Sequence, residues 1–142
     1  MVAAVVIPVA GLIVTILVFV LGGRRKRIEL SNENSARFRA AFSDSIAGLN
    51  DCEKDARFIL SNAKIDHDTA IENFRWHLPR KRVAEFNRAV NEYRSLRDSA
   101  EPAFLQFVRA EATGMPAKDQ RPFCIELLRV INKLLDFAKP IH

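Results

Sequence analysis

The sequence contains few of the residues from which catalytic and metal sites are usually built. Its 142 residues include two cysteines, three histidines and five glycines. No histidine has the Glu-x-x-His or His-Glu-x-x-His spacing that places metal ligands on one helix face. The glycines are too scattered for a phosphate-binding loop, and no serine elbow is present. The sequence therefore predicts no catalytic residue, no cofactor and no metal site.

One triplet of residues and the two cysteines could each have either a chemical or a structural role. The triplet Asp66, His67, Asp68 could hold a cation, but adjacent residues at a helix start rarely converge on one ion, so we interpret it as a solvated helix cap. Cys124 falls on an apolar stripe, which favours packing over reactivity. Cys52 has the same interpretation. In a reducing compartment the two cysteines are not expected to form a disulfide.

Charge is absent from the start of the chain. Residues 2–21 form an apolar run without a charged side chain. Twenty residues at a helical rise of about 1.5 Å span roughly 30 Å, the thickness of the hydrocarbon core of a bilayer. Pro8 should bend this helix without preventing insertion. We predict a transmembrane anchor over residues 1–23; a cleaved signal peptide, the alternative, would carry its positive charge before the apolar run.

A basic cluster follows the run after Gly22 and Gly23 and consists of Arg24, Arg25, Lys26 and Arg27. The positive-inside rule places these residues and everything after them in the cytoplasm, with the N-terminus outside the cell membrane. The other 18 basic residues nearly balance the 17 acidic ones. We therefore expect the juxtamembrane segment, residues 24–30, to contact anionic lipid head groups, and we expect no nucleic-acid partner.

The remaining residues, 31–142, have the length of one small domain. Apolar residues recur at steps of three and four, and no segment alternates like a strand. The pattern predicts helices over about 38–63 (with a possible break near Gly48 and Asn50), 66–79, 80–99, 102–114 and 120–138. The fold class is therefore all-α: a single transmembrane helix followed by a small cytoplasmic bundle of four to six helices.

One short segment is a candidate interface. It surrounds the only tryptophan, which the helical spacing places away from the core. An aromatic ring beside cations suits a membrane interface or a partner pocket, whereas a structural role would have the ring cover the bundle edge, stacked on Arg80 or Glu72. The candidate patch consists of Arg75, Trp76, His77, Arg80, Lys81 and Arg82.

These features favour a non-enzymatic interaction or scaffold module held at the cytoplasmic membrane face. Its expected partners are membrane lipid, through the N-terminal helix, and either another protein or a second copy of the chain. A protein that acts on the bilayer through its two basic clusters is the alternative. An enzyme without a local motif is the third hypothesis.

Overall fold

The computed structural model describes residues 3–51, 55–99, 110–114 and 119–140, with side chains from residue 11 onward. In these residues every regular element is helical, which confirms the all-α class and the helical bundle. The elements are α1 (Ala3–Asp51), α2 (Ala56–Arg75), α3 (Arg80–Asp98), α4 (Arg121–Leu135) and a 3₁₀ turn, Asp136–Ala138.

The first helix is much longer than any other element. α1 is continuous for 49 residues and crosses both expected segment borders, at residues 23 and 30. No helix in the described part of the chain is long and apolar enough to cross a membrane, so the transmembrane anchor over residues 1–23 stays a prediction. Residues 1–10 of that anchor, including the bend expected at Pro8, lie outside the described side chains.

The connection between α1 and α2 lies close to the break that the sequence predicts near Gly48 and Asn50. α1 continues through Gly48 and ends at Asp51, directly after Asn50, so the alternative of two helices is correct, with the break beside Asn50 and not at the glycine. A β-carbon at Gly48 would lie 2.9 Å from Cδ1 of Ile59, which shows that the glycine allows α1 and α2 to approach closely. Asp55 then caps α2, since its carboxylate accepts the backbone N–H of Arg57 at 3.1 Å.

The helix start predicted at residues 66–69 is wrong. These residues lie in the middle of α2, which begins ten residues earlier at Ala56. Polar residues with capping preference are tolerated in a helix interior when the apolar stripe continues through them. Here Leu60, Ile71 and Phe74 continue that stripe, and all three are buried.

The other helices agree with the sequence pattern. α3 occupies 80–98, and α4 places Pro122 in its first turn and buries its apolar stripe. The helix predicted over 102–114 lies outside the described residues up to residue 109. Residues 110–113 are helical, and Gly114 follows with a φ of 65°, which matches its expected role as the terminator.

An aromatic cluster forms the centre of the core. Phe38 of α1 stacks on Phe74 of α2 with ring centroids 4.4 Å apart, and Phe86 of α3 packs against both rings. Phe137, in the 3₁₀ turn, closes the cluster against Phe86 at 5.4 Å. The rings of α1, α2, α3 and the 3₁₀ turn meet in this cluster. Their packing stabilises the contact of α1 with the rest of the bundle, because each ring removes a large apolar area from water.

Candidate functional site

The turn between α2 and α3 carries most of the predicted patch. α2 ends at Arg75, and Pro79 directly precedes α3, as expected for a residue that cannot continue a helix. Trp76 is 85% exposed, the largest exposure among the bulky apolar side chains described. This exposure confirms that the ring points away from the core. It is inconsistent with the structural alternative of a ring that covers the bundle edge.

The patch is divided between residues with and without intramolecular partners. Arg75 pairs with Glu72 one turn earlier, and the guanidinium of Arg82 lies 4.9 Å from the ring centroid of Phe137. Both cations therefore support the bundle itself. Arg80 and Lys81 are exposed and form no ion pair in the described part of the chain, and His77 is exposed beside them.

The basic cluster after the apolar run lies on the exposed surface of α1. Arg25 pairs with Glu29 at 3.3 Å, a surface contact four residues along the helix that contributes little to stability. Arg24, Lys26 and Arg27 are exposed and have no carboxylate partner among the described residues. Their charge is therefore available to an external anion.

The fold brings the patch to the end of the bundle that is nearer to this basic cluster. α2 runs antiparallel to α1, because Phe42 stacks on His67 at 4.1 Å while the earlier Phe38 contacts the later Phe74. The turn after Arg75 thus returns toward the apolar run. Sequence reasoning could not place the two basic clusters at one end, since this requires knowing which helices pair.

A groove of about 420 Å³ lies beside this turn, between α1 and α2. Its floor is aromatic, formed by Phe38 and Phe74, and Trp76 stands at its edge. The walls are mostly polar and include Asn34, Arg37, Asp66, Thr69, Asn73 and His77. Arg37 is already paired with Glu33, so the groove offers hydrogen-bonding groups without a strong net charge.

A polar network crosses the core at His67. Nε2 of His67 lies 3.1 Å from Oγ of Ser45, and Nδ1 lies 2.6 Å from the hydroxyl of Tyr93. Both hydroxyls can donate or accept, so either tautomer of the neutral ring is satisfied. Burial, reinforced by the charge of Arg97, lowers the pKa of His67 to about 4. Burial likewise raises the pKa of Tyr93 to about 12.

This network holds helices together. A serine hydroxyl beside an imidazole is the geometry of an activated nucleophile, but His67 and Tyr93 are fully buried and Ser45 is 3% exposed. No substrate can reach them in this conformation. The interpretation of His67 as a solvated cap is therefore wrong, and its burial follows from the continuation of α2 through residues 66–69.

An ion-pair cluster supports the network from outside. Nη1 of Arg97 donates to Asp68 at 3.0 Å and its Nε donates to Asp98 at 3.1 Å. Burial opposes ionisation of Asp68, but the hydrogen bonds from Arg97 and Arg94 outweigh it and hold the pKa of Asp68 below its usual 3.8. Asp68, one of the two aspartates of the triplet 66–68, therefore holds Arg97 in place.

Cys124 is buried on the apolar stripe of α4, which agrees with the packing interpretation. Cys52 lies outside the described residues. Among the described residues, no group of three histidine, cysteine or carboxylate side chains could hold a metal ion.

Sequence reasoning missed one exposed apolar strip. Phe58 and Ile65 are 63% and 78% exposed and lie seven residues apart on α2, hence on one face after two turns. The sequence offered a signal, because both residues fall outside the stripe formed by Leu60, Ile71 and Phe74. Using that signal required knowing that α2 is one helix from Ala56.

Comparison with known proteins supplies no relative to guide the assignment. No protein-family model, curated protein or solved structure matches this chain.

Proposed function

We propose that this protein is a non-enzymatic interaction module anchored in the cell membrane by residues 2–21, with its helical bundle at the cytoplasmic face. The observation that carries the proposal is the surface of α1 over residues 11–21. Every residue there is exposed, and the large apolar side chains among them are 52–82% exposed, on all sides of the helix. A helix that is apolar all round needs an apolar environment.

The described part of this surface covers eleven residues, or about 16 Å of helix. The sequence extends it with nine further uncharged residues, 2–10, to about the 30 Å that a bilayer core requires. The cation cluster 24–27 directly after the run supports a cytoplasmic bundle. The expected effect of anchoring is to restrict the bundle to a thin layer beside the membrane.

The burial of Ser45, His67 and Tyr93 supports a non-enzymatic role, since this serine–imidazole cluster, the one such arrangement noted among the described residues, has no access to substrate. The strip formed by Phe58 and Ile65 is the surface that we assign to a protein partner. Two large apolar side chains two turns apart suit the apolar stripe of a partner helix. The strip lies on α2 before the turn, toward the end of the bundle away from the apolar run.

The anchor is tested by alkaline extraction of membranes from cells that express the full chain. We expect the chain to stay in the membrane pellet and Leu12→Arg to release it, because a cation at the middle of a span is costly. Phe58→Arg is the matched control, since it places the same charge on an exposed apolar site of the bundle. Release of the unaltered chain, or equal release of both variants, would show that residues 2–21 are not a span.

The partner surface is tested by affinity purification of the full chain from gently solubilised native membranes. We expect a stoichiometric protein that survives a salt wash, and we expect the double variant Phe58→Ser/Ile65→Ser to lose it. Trp76→Ser, which also removes an exposed apolar side chain, should retain it. A partner that binds both variants equally would place the contact elsewhere, and a chain recovered alone or with copies of itself would favour lipid binding or self-association.

A further inference from the structure

We infer that the turn between α2 and α3 is a second membrane contact: Trp76, Arg80 and Lys81 rest on the anionic head groups of the bilayer that holds α1. The inference rests on the proposed anchoring of residues 2–21 and deepens it by naming a second lipid contact. It assigns the Trp76 patch to lipid and leaves the strip of Phe58 and Ile65 to the protein partner.

The first argument is placement. The antiparallel pairing of α1 and α2 returns the chain toward the apolar run, and the groove beside the turn joins Trp76 and His77 to Asn34 and Arg37 of α1. The turn is therefore level with residues near 34. Because α1 is helical without interruption from the run into the core, the bundle cannot drift far from the bilayer.

The second argument is charge. Most described cations of the bundle have a carboxylate partner; these are Arg37, Lys64, Arg75, Arg94, Arg97, Arg121, Arg129, Lys133 and Lys139. Arg80 and Lys81 have none among the described residues; Arg39, Arg82 and Arg88 also have none there, and the same holds for three of the four cations at 24–27. Arg80, Lys81 and the cluster at 24–27 lie toward one end of the molecule, so they present cations to the same anionic surface. An anionic leaflet attracts such residues within about a Debye length.

The third argument is the exposed indole. A tryptophan with 85% of its surface in water gains little from the fold. The head-group layer suits this side chain, because the ring enters the apolar side while the N–H stays hydrated. Arg80 and Lys81, bound to the anionic head groups, would hold the ring at that depth.

Geometry allows the contact if the molecule leans. From Leu21 to Asn34 the helix rises about 20 Å, and the head-group layer extends about 5 to 8 Å beyond the hydrocarbon core. With α2 packed 8–10 Å from α1, a tilt of about 35° toward α2 brings the tip of the Trp76 side chain to that layer. Such a tilt is within the range observed for membrane helices.

The test uses the only tryptophan of the full chain as its probe. The protein is reconstituted into vesicles of neutral lipid alone or of neutral and anionic lipid, with or without bromine on the upper acyl chain. We expect Trp76 emission at shorter wavelength, and quenching by the brominated lipid, in the anionic vesicles. The double variant Arg80→Ser/Lys81→Ser should lower the equilibrium constant for the leaning state by about thirtyfold, given the usual attraction of each cation to an anionic surface.

The matched control is Arg39→Ser/Arg88→Ser, which removes two other exposed cations and should leave the emission unchanged. A second variant inserts seven helix-forming residues between Arg27 and Ile28. This lifts the bundle by about 10 Å while nearly restoring its rotation, so quenching should disappear.

Each outcome has a distinct meaning. If the chain floats with the vesicles but Trp76 emits as in water, the anchoring stands and the second contact is refuted. If the emission is equally shifted in detergent, neutral vesicles and anionic vesicles, a protein contact covers the ring and the lipid assignment is wrong. If the chain does not float with vesicles of either composition, the proposed anchoring fails and the inference fails with it.

Discussion

Acidification should destabilise the bundle through His67 while the carboxylates are still ionised. In the folded chain this imidazole lies between the hydroxyls of Ser45 and Tyr93, and its pKa is lowered to about 4 by burial and by the nearby Arg97. In the unfolded chain the same group has its ordinary pKa of 6.5. The unfolded state therefore binds a proton, between these two values, that the folded state does not.

The sign and the size follow from this difference. Above pH 6.5 both states hold a neutral ring, so the stability is complete. As the pH falls below 6.5, the free energy of unfolding should decrease by up to about 1.4 kcal/mol per pH unit. By pH 5.0 the loss is about 2 kcal/mol, and it approaches about 3 kcal/mol near pH 4. Such a loss is a large part of the stability of a small domain.

Urea unfolding of the full chain in neutral detergent, followed by circular dichroism at several pH values from 7.5 to 5.0, measures this slope. Staying above pH 5.0 avoids the titration of Asp68, whose pKa lies below 3.8. His67→Gln should be less stable at pH 7.5 but should lose most of the slope. His77→Gln, at an exposed site, should keep it. A slope that survives in His67→Gln, or its absence from the unaltered chain, would refute the assignment.

Three further substitutions test the core by urea unfolding at pH 7.5. Tyr93→Phe should cost about 1–3 kcal/mol, because it leaves the buried Nδ1 of His67 without its partner; an unchanged midpoint would mean that water replaces the hydroxyl. Phe38→Ala should cost about 3–5 kcal/mol through loss of its stacked ring, whereas Phe58→Ala, on the surface, should stay within about 0.5 kcal/mol; similar losses would contradict the described burial. Arg97→Gln should cost about 2 kcal/mol, since two aspartates lose a charged donor, and a loss that vanishes at high salt would indicate a screened surface pair instead.

The parts of the fold that the sequence predicts well are those with one unambiguous apolar face. α4 repeats its apolar residues from Cys124 to Leu135 at three and four, and it buries that face as expected. α3 is delimited by Pro79 before it and by polar residues after it. In both helices, local chemistry and tertiary packing agree, so the period alone gives nearly the correct limits.

α2 shows why the rest could not be predicted. Asp66 and Asp68 have the side chains of helix caps, and only tertiary contacts show that they are interior. His67 contacts Ser45 and Tyr93, which are 22 and 26 residues away. Pairings over such separations leave no trace in the local spacing. A polar residue on an apolar face is evident only after the limits of its helix are known.

The same dependence on tertiary contacts limits what the sequence predicts about the patch around Trp76. Sequence alone singled out Trp76 and its cations but could not separate those used by the bundle, Arg75 and Arg82, from those left exposed, Arg80 and Lys81. The pairing of Arg75 with Glu72 is local, three residues along one helix, whereas the contact of Arg82 depends on where the ring of Phe137 lies in space. The structure therefore divides these cations into two pairs. Substitution of Arg75 or Arg82 should affect the bundle itself, whereas substitution of Arg80 or Lys81 should affect only contacts with other molecules.

The continuity of α1 links the two proposed membrane contacts mechanically. Gly22 and Gly23 lie in this helix just before the cation cluster, and nothing lies within 4 Å of a β-carbon built at either position. Packing therefore does not require glycine there, while each glycine weakens the helix by about 1 kcal/mol relative to alanine. These two glycines therefore form a weak point of the helix that coincides with the predicted bilayer boundary. A helix that bends there lets the bundle lean onto its Trp76 side, whereas the unbroken helix after it keeps the strip of Phe58 and Ile65 away from the lipid and open to a partner.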